Sequence, residues 1–352
     1  MPMRYAALPI LAVTTVAAAS PPAGTVQSYD GYKSWLVACD NGLHCQAKAF
    51  GDSDTRAEIR IERDAGPAAA ARVTLRSETP FRLADVRVDG APAQLDPAAW
   101  EAVPDDEGRS WQSDRPNTVR PFLAQLRAAG KATLGAGADV PLDGLSAALL
   151  RIDDRQGRVG TVTALARLGP APAARVPAPP PIPAVPAHPI AARLAAGEAR
   201  RLIASVRAGQ RATLETEGCD AQTMGLEPEA HALDDGRALI LIPCLMGAYQ
   251  GSSLAFIASR RGPGAAKRLV LPIPYIGNAS ERSDADMFTE VSFDRATGTL
   301  SMAAKGRGLA DCGLAASWIW NGAAFRLSAL SLQQACGGIE PGDWPTLFRS
   351  RQ

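Results

Sequence analysis

The sequence predicts an α+β N-terminal domain over residues 25–168 and a mainly antiparallel β C-terminal domain over residues 190–352, a sandwich or barrel with a leading helix. Three observations carry this reading. Short segments of alternating apolar and polar residues recur along the chain; two segments of helical period interrupt them in the first half; and a proline-rich run, residues 169–189, separates the halves. At 352 residues the chain exceeds one ordinary core and suits two domains of roughly 150 residues each.

Residues 1–19 read as a signal peptide: Arg4, an apolar run from Tyr5 to Ala18, and Ala17 and Ala19 in an A-x-A pattern. The run is shorter than the ~20 residues of a spanning helix, and no later segment is long and apolar enough to cross a membrane. A periplasmic location is therefore expected, with no stable membrane insertion after cleavage. The cysteines, Cys39, Cys45, Cys219, Cys244, Cys312 and Cys336, all follow the signal, and an even count in an oxidising compartment reads as three disulfides. Pairing of sequence neighbours is simplest. It is best supported for Cys39 with Cys45, because Asp40-Asn41-Gly42 can turn the chain between short strands.

SWLVAC and CQAKAF are strands around that pair, and AEIRIERD, ARVTLRS and LADVRVDGAP follow with the alternation of half-buried strands. Asn117 or Thr118 can cap a helix with Val119, Phe122, Leu123 and Leu126 on one face, ended by Gly130. KATL is a short strand. A second helix runs from about Leu142 to Gly157, and VGTVTAL closes the unit as a strand. Nine prolines in Gly169–Pro189 favour an extended linker reaching at most about 65 Å. An arginine-rich helix is expected over Ile190–Ala208. The ungapped match of FLAQLRAAGKATL (Phe122–Leu134) to LIASVRAGQRATL (Leu202–Leu214) raises a duplicated helix-strand unit against shared composition. The rest reads as strands, among them RALILIPC, which has no polar face and belongs in a sheet centre. Asn321-Gly322 marks a two-residue hairpin turn between AASWIW and AAFRL. Strict register from that turn sets Cys312 opposite Ser331, short of Cys336, so a bulge or loop has to make up the difference.

Lys+Arg 37 against Asp+Glu 36 removes the electrostatic case for a nucleic-acid partner. His44, His188 and His231 have no metal-pair spacing, and no G-x-S-x-G, Walker loop or H-E-x-x-H occurs, so neither metal nor cofactor is implied. Carboxylate pairs, Asp284 with Asp286 and Asp234 with Asp235, suit acid-base work or turn capping. The remaining candidate surface lies in Lys305–Arg349: Lys305, Arg307, Asp311, Trp318, Trp320 and Trp344. Trp318 and Trp320 project to the same side of their strand; exposed, they form a stacking platform for a sugar or an anchor for a protein, and buried, they are core.

The segments W-L-V-A-C-D-N-G-L-H-C (Trp35–Cys45), R-D-A-G-P (Arg63–Pro67), I-P-C-L-M-G-A-Y (Ile242–Tyr249), K-G-R-G-L-A-D-C-G (Lys305–Gly313) and W-P-T-L-F-R (Trp344–Arg349) resemble an exported proteobacterial family known as domain of unknown function 1176. That resemblance implies relatives and no reaction. In its cysteine hairpin, VDG turn and late helices the first half is also similar to the exported invasion-associated locus B proteins. The reading that results is a periplasmic binding or accessory protein whose partner is an envelope protein or cell-wall component. A hydrolase acting on envelope glycan or peptide through dispersed carboxylates is the alternative.

Overall fold

Alternating side chains give the N-terminal sheet two different faces, and the fold follows from what covers each. The computed structural model describes residues 27–51, 54–103, 110–219, 225–262, 266–273 and 283–352; the expected signal peptide lies outside them. Strands β1 (Ser28–Tyr32), β2 (Trp35–Cys39), β3 (Cys45–Phe50), β4 (Ala57–Arg63) and β5 (Ala71–Ser77) pair antiparallel in chain order, and Ser110–Ser113 and Glu101–Ala102 extend the sheet to seven. Ile59, Ile61, Val73 and Leu75 face one way. There they meet Phe122, Leu123 and Leu126 of helix α1 (Pro116–Arg127) and Leu149 and Ile152 of helix α2 (Leu145–Arg155) in one apolar core.

The alternate residues, Lys48, Glu58, Arg60 and Arg76, share the opposite face. It reads as a solvent face, but the C-terminal half covers it. Lys48 Nζ lies 3.3 Å from Glu58 Oε1 and donates to Gln333 Oε1 at 3.0 Å and to the Asp343 carbonyl at 2.9 Å. Arg60 pairs with both Glu58 and Asp343, and Arg76 reaches Asp343 and Glu340, each at 3.2 Å. The side chain of Lys48 has no exposed surface. Burial lowers its pKa against the opposing pull of Glu58. Burial would raise the Asp343 carboxyl, but Arg60 and Lys48 outweigh it and hold the group below its ordinary range.

In the second half the apolar strand Arg237–Met246 pairs with Glu229–Ala232 and Gly251–Ser259, and both its faces are buried. Leu239 and Leu241 join Leu300, Trp318 and Leu330 of a second five-stranded sheet, built from Ser292–Asp294, Thr299–Lys305, Gly313–Trp320, Phe325–Gln333 and Thr346–Arg349. Ala238, Ile240 and Ile242 lie instead under Leu202 and Val206 of α3 (Glu198–Gly209) and Leu214 of α4 (Arg211–Thr216). Tyr29, Leu36 and Ala38 of the first sheet belong to the same core as Trp318 and Leu347. The structure is mostly β, in several antiparallel sheets of which none closes, so the barrel expectation falls.

The proline-rich run pairs with both halves, with the first through the Val162 N–H, which donates to the Ala171 carbonyl at 2.8 Å. Val185 N–H donates to the Arg351 carbonyl and Arg351 N–H to the Pro183 carbonyl, both at 2.9 Å, and His188 N–H donates to the Thr297 carbonyl at 2.8 Å. The run thereby covers residues just past the edge strand Thr346–Arg349, which would otherwise offer unpaired backbone.

Several local expectations are corrected. The arginine-rich helix starts at Glu198, not Ile190: Gly197 holds φ +76, and Ile190 is buried with its N–H on the Arg295 carbonyl. The VGTVTAL stretch forms turns rather than a strand, held by the buried Asp153 carboxylate, which accepts the N–H groups of Leu165 and Ala166 at 2.8 Å. KATL is a strand, while the matching RATL opens α4, which removes the duplicated helix-strand unit. The hairpin after Trp320 is a four-residue turn pairing Trp320 with Phe325, in which Asn321 Oδ1 accepts from the N–H groups of Ala323 and Ala324. That longer turn and a bulge at Ser317/Trp318 bring Gly313 opposite Gln333, which lets Cys312 reach Cys336.

The network at Lys48 yields two expected outcomes. Lys48→Met leaves Glu58 and Asp343 short of a cation and lowers the unfolding free energy by about 3 kcal/mol in denaturant titration. Because the folded pKa of Asp343 is depressed, its contribution is full above its unfolded value and lost as pH falls through the folded one. The stability gap between the parent and Asp343→Asn therefore narrows below about pH 4.

Candidate functional site

Two motif segments, Ile242–Tyr249 and Lys305–Gly313, meet at the surface as touching loops. The strand Arg237–Met246 turns into Gly251–Ser259 through a tip closed by Gly247 N–H on the Gln250 carbonyl at 2.8 Å. Gln250 then acts as a substitute strand residue: its Nε2 donates to the Lys305 carbonyl at 3.1 Å, and its Oε1 accepts the Lys305 N–H at 2.9 Å. The Tyr249 hydroxyl donates to the Gly306 carbonyl at 3.4 Å.

The second loop is stiff for reasons its residues supply. Asp311 is fully buried and receives both arms of Arg307, Nε at 2.8 Å, together with the Gly337 N–H at 2.9 Å. The Arg307 hydrogen bonds depress its pKa, against burial. The Cys312–Cys336 disulfide follows directly, and Gln333 Nε2 holds the Asp311 carbonyl at 2.5 Å. Trp344 Nε1 donates to the Ala310 carbonyl at 3.0 Å, and its ring occupies the space a side chain at Gly313 would take.

On this frame stand four apolar side chains with 43–53% of their surface exposed: Leu245, Met246, Tyr249 and Leu309. Tyr249 and Leu309 stand in adjoining loops, and Leu245 and Met246 end the strand that leads into the first; exposed apolar side chains at such a loop pair mark an interaction surface more specifically than scattered ones. Arg307 is exposed beside Leu309, and Lys305 is half-buried.

The expected site residues thus divide. Lys305, Arg307, Asp311 and Trp344 come together, with Asp311 and Trp344 as supports. Trp318 and Trp320 are 0% and 2% exposed, so the expected stacking platform is a correction: both rings are core. Trp318 packs edge-on against Phe288, and Trp320 against Phe325 with the Arg237 guanidinium over its face. Leu245, Met246, Tyr249 and Leu309 were missed, although L-M-G-A-Y continuing a fully apolar strand into a glycine turn was a legible signal.

The three disulfides are Cys39–Cys45, Cys219–Cys244 and Cys312–Cys336. Their number fits an oxidising, exported environment. Among the carboxylate pairs, Asp234 is engaged by the N–H groups of Gly236 and Arg237, and Asp286 by Arg268. His188 lies in the proline-rich run and His231 Nε2 contacts Glu229 at 2.7 Å. His44 Nδ1 is 2.8 Å from Asp64, at a 250 Å³ hollow walled by Glu62, Arg63, Arg72 and Asp114, where no lining side chain is a hydroxyl or thiol. The loop carrying Asp64 is clamped by the buried Arg158, which donates to the carbonyls of Asp64 and Gly66.

Comparison with known proteins places these motifs. The family described as protein of unknown function (DUF1176) matches over residues 29–351. The uncharacterized protein YpfG of Escherichia coli (strain K12) is 31% identical over 340 residues, covering 91% of this chain and 92% of that one. No solved structure matches. These findings carry the first resemblance drawn from the sequence and say nothing of the second.

If the Asp311 anchor stiffens the loop, Asp311→Ala speeds amide exchange over residues 306–311 and costs about 2 kcal/mol of stability, since it removes the buried acceptor of the Arg307 guanidinium and of the Gly337 N–H. Unchanged exchange there contradicts the role given to Asp311.

Proposed function

The chain belongs to the DUF1176 family, and from that premise we propose that it acts by binding, as a periplasmic accessory protein that docks an envelope protein on the Leu245, Met246, Tyr249 and Leu309 surface. The observation that carries the reading is the stiff pair of loops, with the strand end beside it, holding four large apolar side chains out of the core. Ordering costs are already met in the free protein, so burial of those side chains contributes directly to association. Asp311 fixes Arg307 and offsets its charge, so Lys305 is the cation that suits the rim to an acidic edge on the partner. In this reading the chain is two units, residues 25–168 and 190–352, with the proline-rich 169–189 between them, and the second unit carries the docking loops. A cell-wall component is the less favoured ligand, because the aromatic platform it would stack on is core. Hydrolysis of envelope glycan or peptide has the Asp64 to His44 contact as its one geometric support.

A photo-crosslinking residue placed at Leu309 or Tyr249 in cells is expected to yield a discrete protein adduct. Met246→Glu with Leu309→Glu in the same chain should abolish it while changing stability by no more than about 0.5 kcal/mol, as befits surface positions. Absence of any adduct, or an adduct indifferent to those substitutions, overturns the proposal; turnover of a purified wall fragment, lost in His44→Ala, would replace it with the hydrolase.

A further inference from the structure

Among the described residues, two short helices form most of the cover on the outer face of the strand pair Arg237–Met246 and Gly251–Ser259. Leu202 and Val206 of α3 and Leu214 of α4 reach the sheet. Beside them α3 turns the small side chains of Ala204 and Ala208 to solvent, so the cover is incomplete. A groove of about 410 Å³ remains, within the range of sites that hold one small molecule. Its floor is apolar: Leu214, Ile242 and Pro243, with Cys219 of the Cys219–Cys244 disulfide at one end.

Two arginines stand at this groove, Arg207 from the last turn of α3 and Arg211 from the start of α4. Among the described residues neither is within ion-pair distance of a carboxylate, whereas Arg201 and Arg260 nearby both contact Glu198. Among the described residues Glu215 is the one acid lining the groove, against Arg207 and Arg211. An apolar trough with two unpaired guanidiniums is complementary to a molecule with a hydrocarbon tail and an anionic oxygen pair, which guanidinium binds in two-pronged fashion.

We infer that this groove binds a single-chain fatty acid, its tail along Leu214, Ile242 and Pro243 and its carboxylate between Arg207 and Arg211. The size of the groove suits one tail rather than two. Leu214 and Ile242 are only 9% and 2% exposed, so the floor offers no broad apolar face to a bilayer, and the occupant is the monomeric acid rather than a membrane surface. The site is separate from the docking loops and does not depend on them.

The test is displacement of a dansyl-labelled fatty acid from the full mature chain. Dodecanoate should displace it, and dodecanol should do so at least about tenfold more weakly, the loss of a charge-assisted contact being worth about that factor. Arg207→Gln with Arg211→Gln should erase the difference between the two competitors. Ala204→Trp, at an exposed helix position that lines this groove, should block probe binding with the thermal midpoint unchanged. Equal competition by dodecanol and dodecanoate in the parent overturns the carboxylate assignment. Probe binding that survives Ala204→Trp in the folded protein overturns the site. Sedimentation with phosphatidylglycerol vesicles, abolished by the double arginine variant when dodecanoate does not bind, overturns the monomer in favour of membrane attachment.

Discussion

A lysine with no exposed side-chain surface sits where the two halves of this chain meet, and the architecture surrounds it with polar and acidic partners. Lys48 gives up hydration for Glu58, the Gln333 side chain and the Asp343 carbonyl. Arg60 and Arg76 converge on the same Asp343 carboxylate, so it is outnumbered by cations and stays ionised despite burial. Taking charges out of water costs several kcal/mol per ion, and a well-packed apolar replacement would serve stability as well or better. What the network adds is selectivity. The first sheet offers alternating charges at Lys48, Glu58, Arg60 and Arg76; Gln333 and Asp343 meet the three cations, and Glu58 is met by Lys48 and Arg60 of its own sheet. The ion network therefore fixes which face of the sheet meets the C-terminal half and in what register.

Other features reinforce that seam. Asn41, in the turn of the first disulfide hairpin, exchanges hydrogen bonds at 2.9 Å in both directions with the backbone of Arg349, while Arg349 pairs with the buried Asp40. The Tyr29 hydroxyl accepts the Gln334 N–H at 2.8 Å, and Arg56 donates to the Gly338 carbonyl. Residues 333–349, which supply these contacts, also hold Asp311 through Gln333 and Gly337 and the exposed loop through Trp344. One segment thus faces inward to the ion network and outward to the exposed loops. A change at the seam has a short physical route to the exposed surface.

Much of this was legible in the sequence, and the failures have identifiable causes. The cysteine hairpin, the two-faced strand Arg237–Met246 and the apolar stripe Val119, Phe122, Leu123 and Leu126 appear where periodicity puts them, because local pattern and burial agree there. The charged face of β4 misled, since Glu58 and Arg60 look solvent-bound to any rule that reads one strand at a time, and their burial comes from residues almost 300 positions away. RATL and KATL show the same limit: nearly identical tetrapeptides take helix and strand according to what packs on them. In the candidate site, Asp311 and Arg307 were found because charged residues near cysteines draw attention. Trp318 and Trp320 were misjudged because strand alternation says that two rings share a side but not which side is wet. Leu245, Met246, Tyr249 and Leu309 were passed over because an apolar residue in a strand-rich sequence is expected to be buried.

The claim on which the rest hangs is that the ion network and the shared apolar core make the two halves one cooperative structure. Differential scanning calorimetry of the oxidised protein over residues 20–352 tests it most directly. A single transition is expected, with calorimetric and van't Hoff enthalpies in agreement. Two resolved transitions, each with its own enthalpy, would show that the halves unfold independently and that the seam at Lys48 is a contact between separate domains.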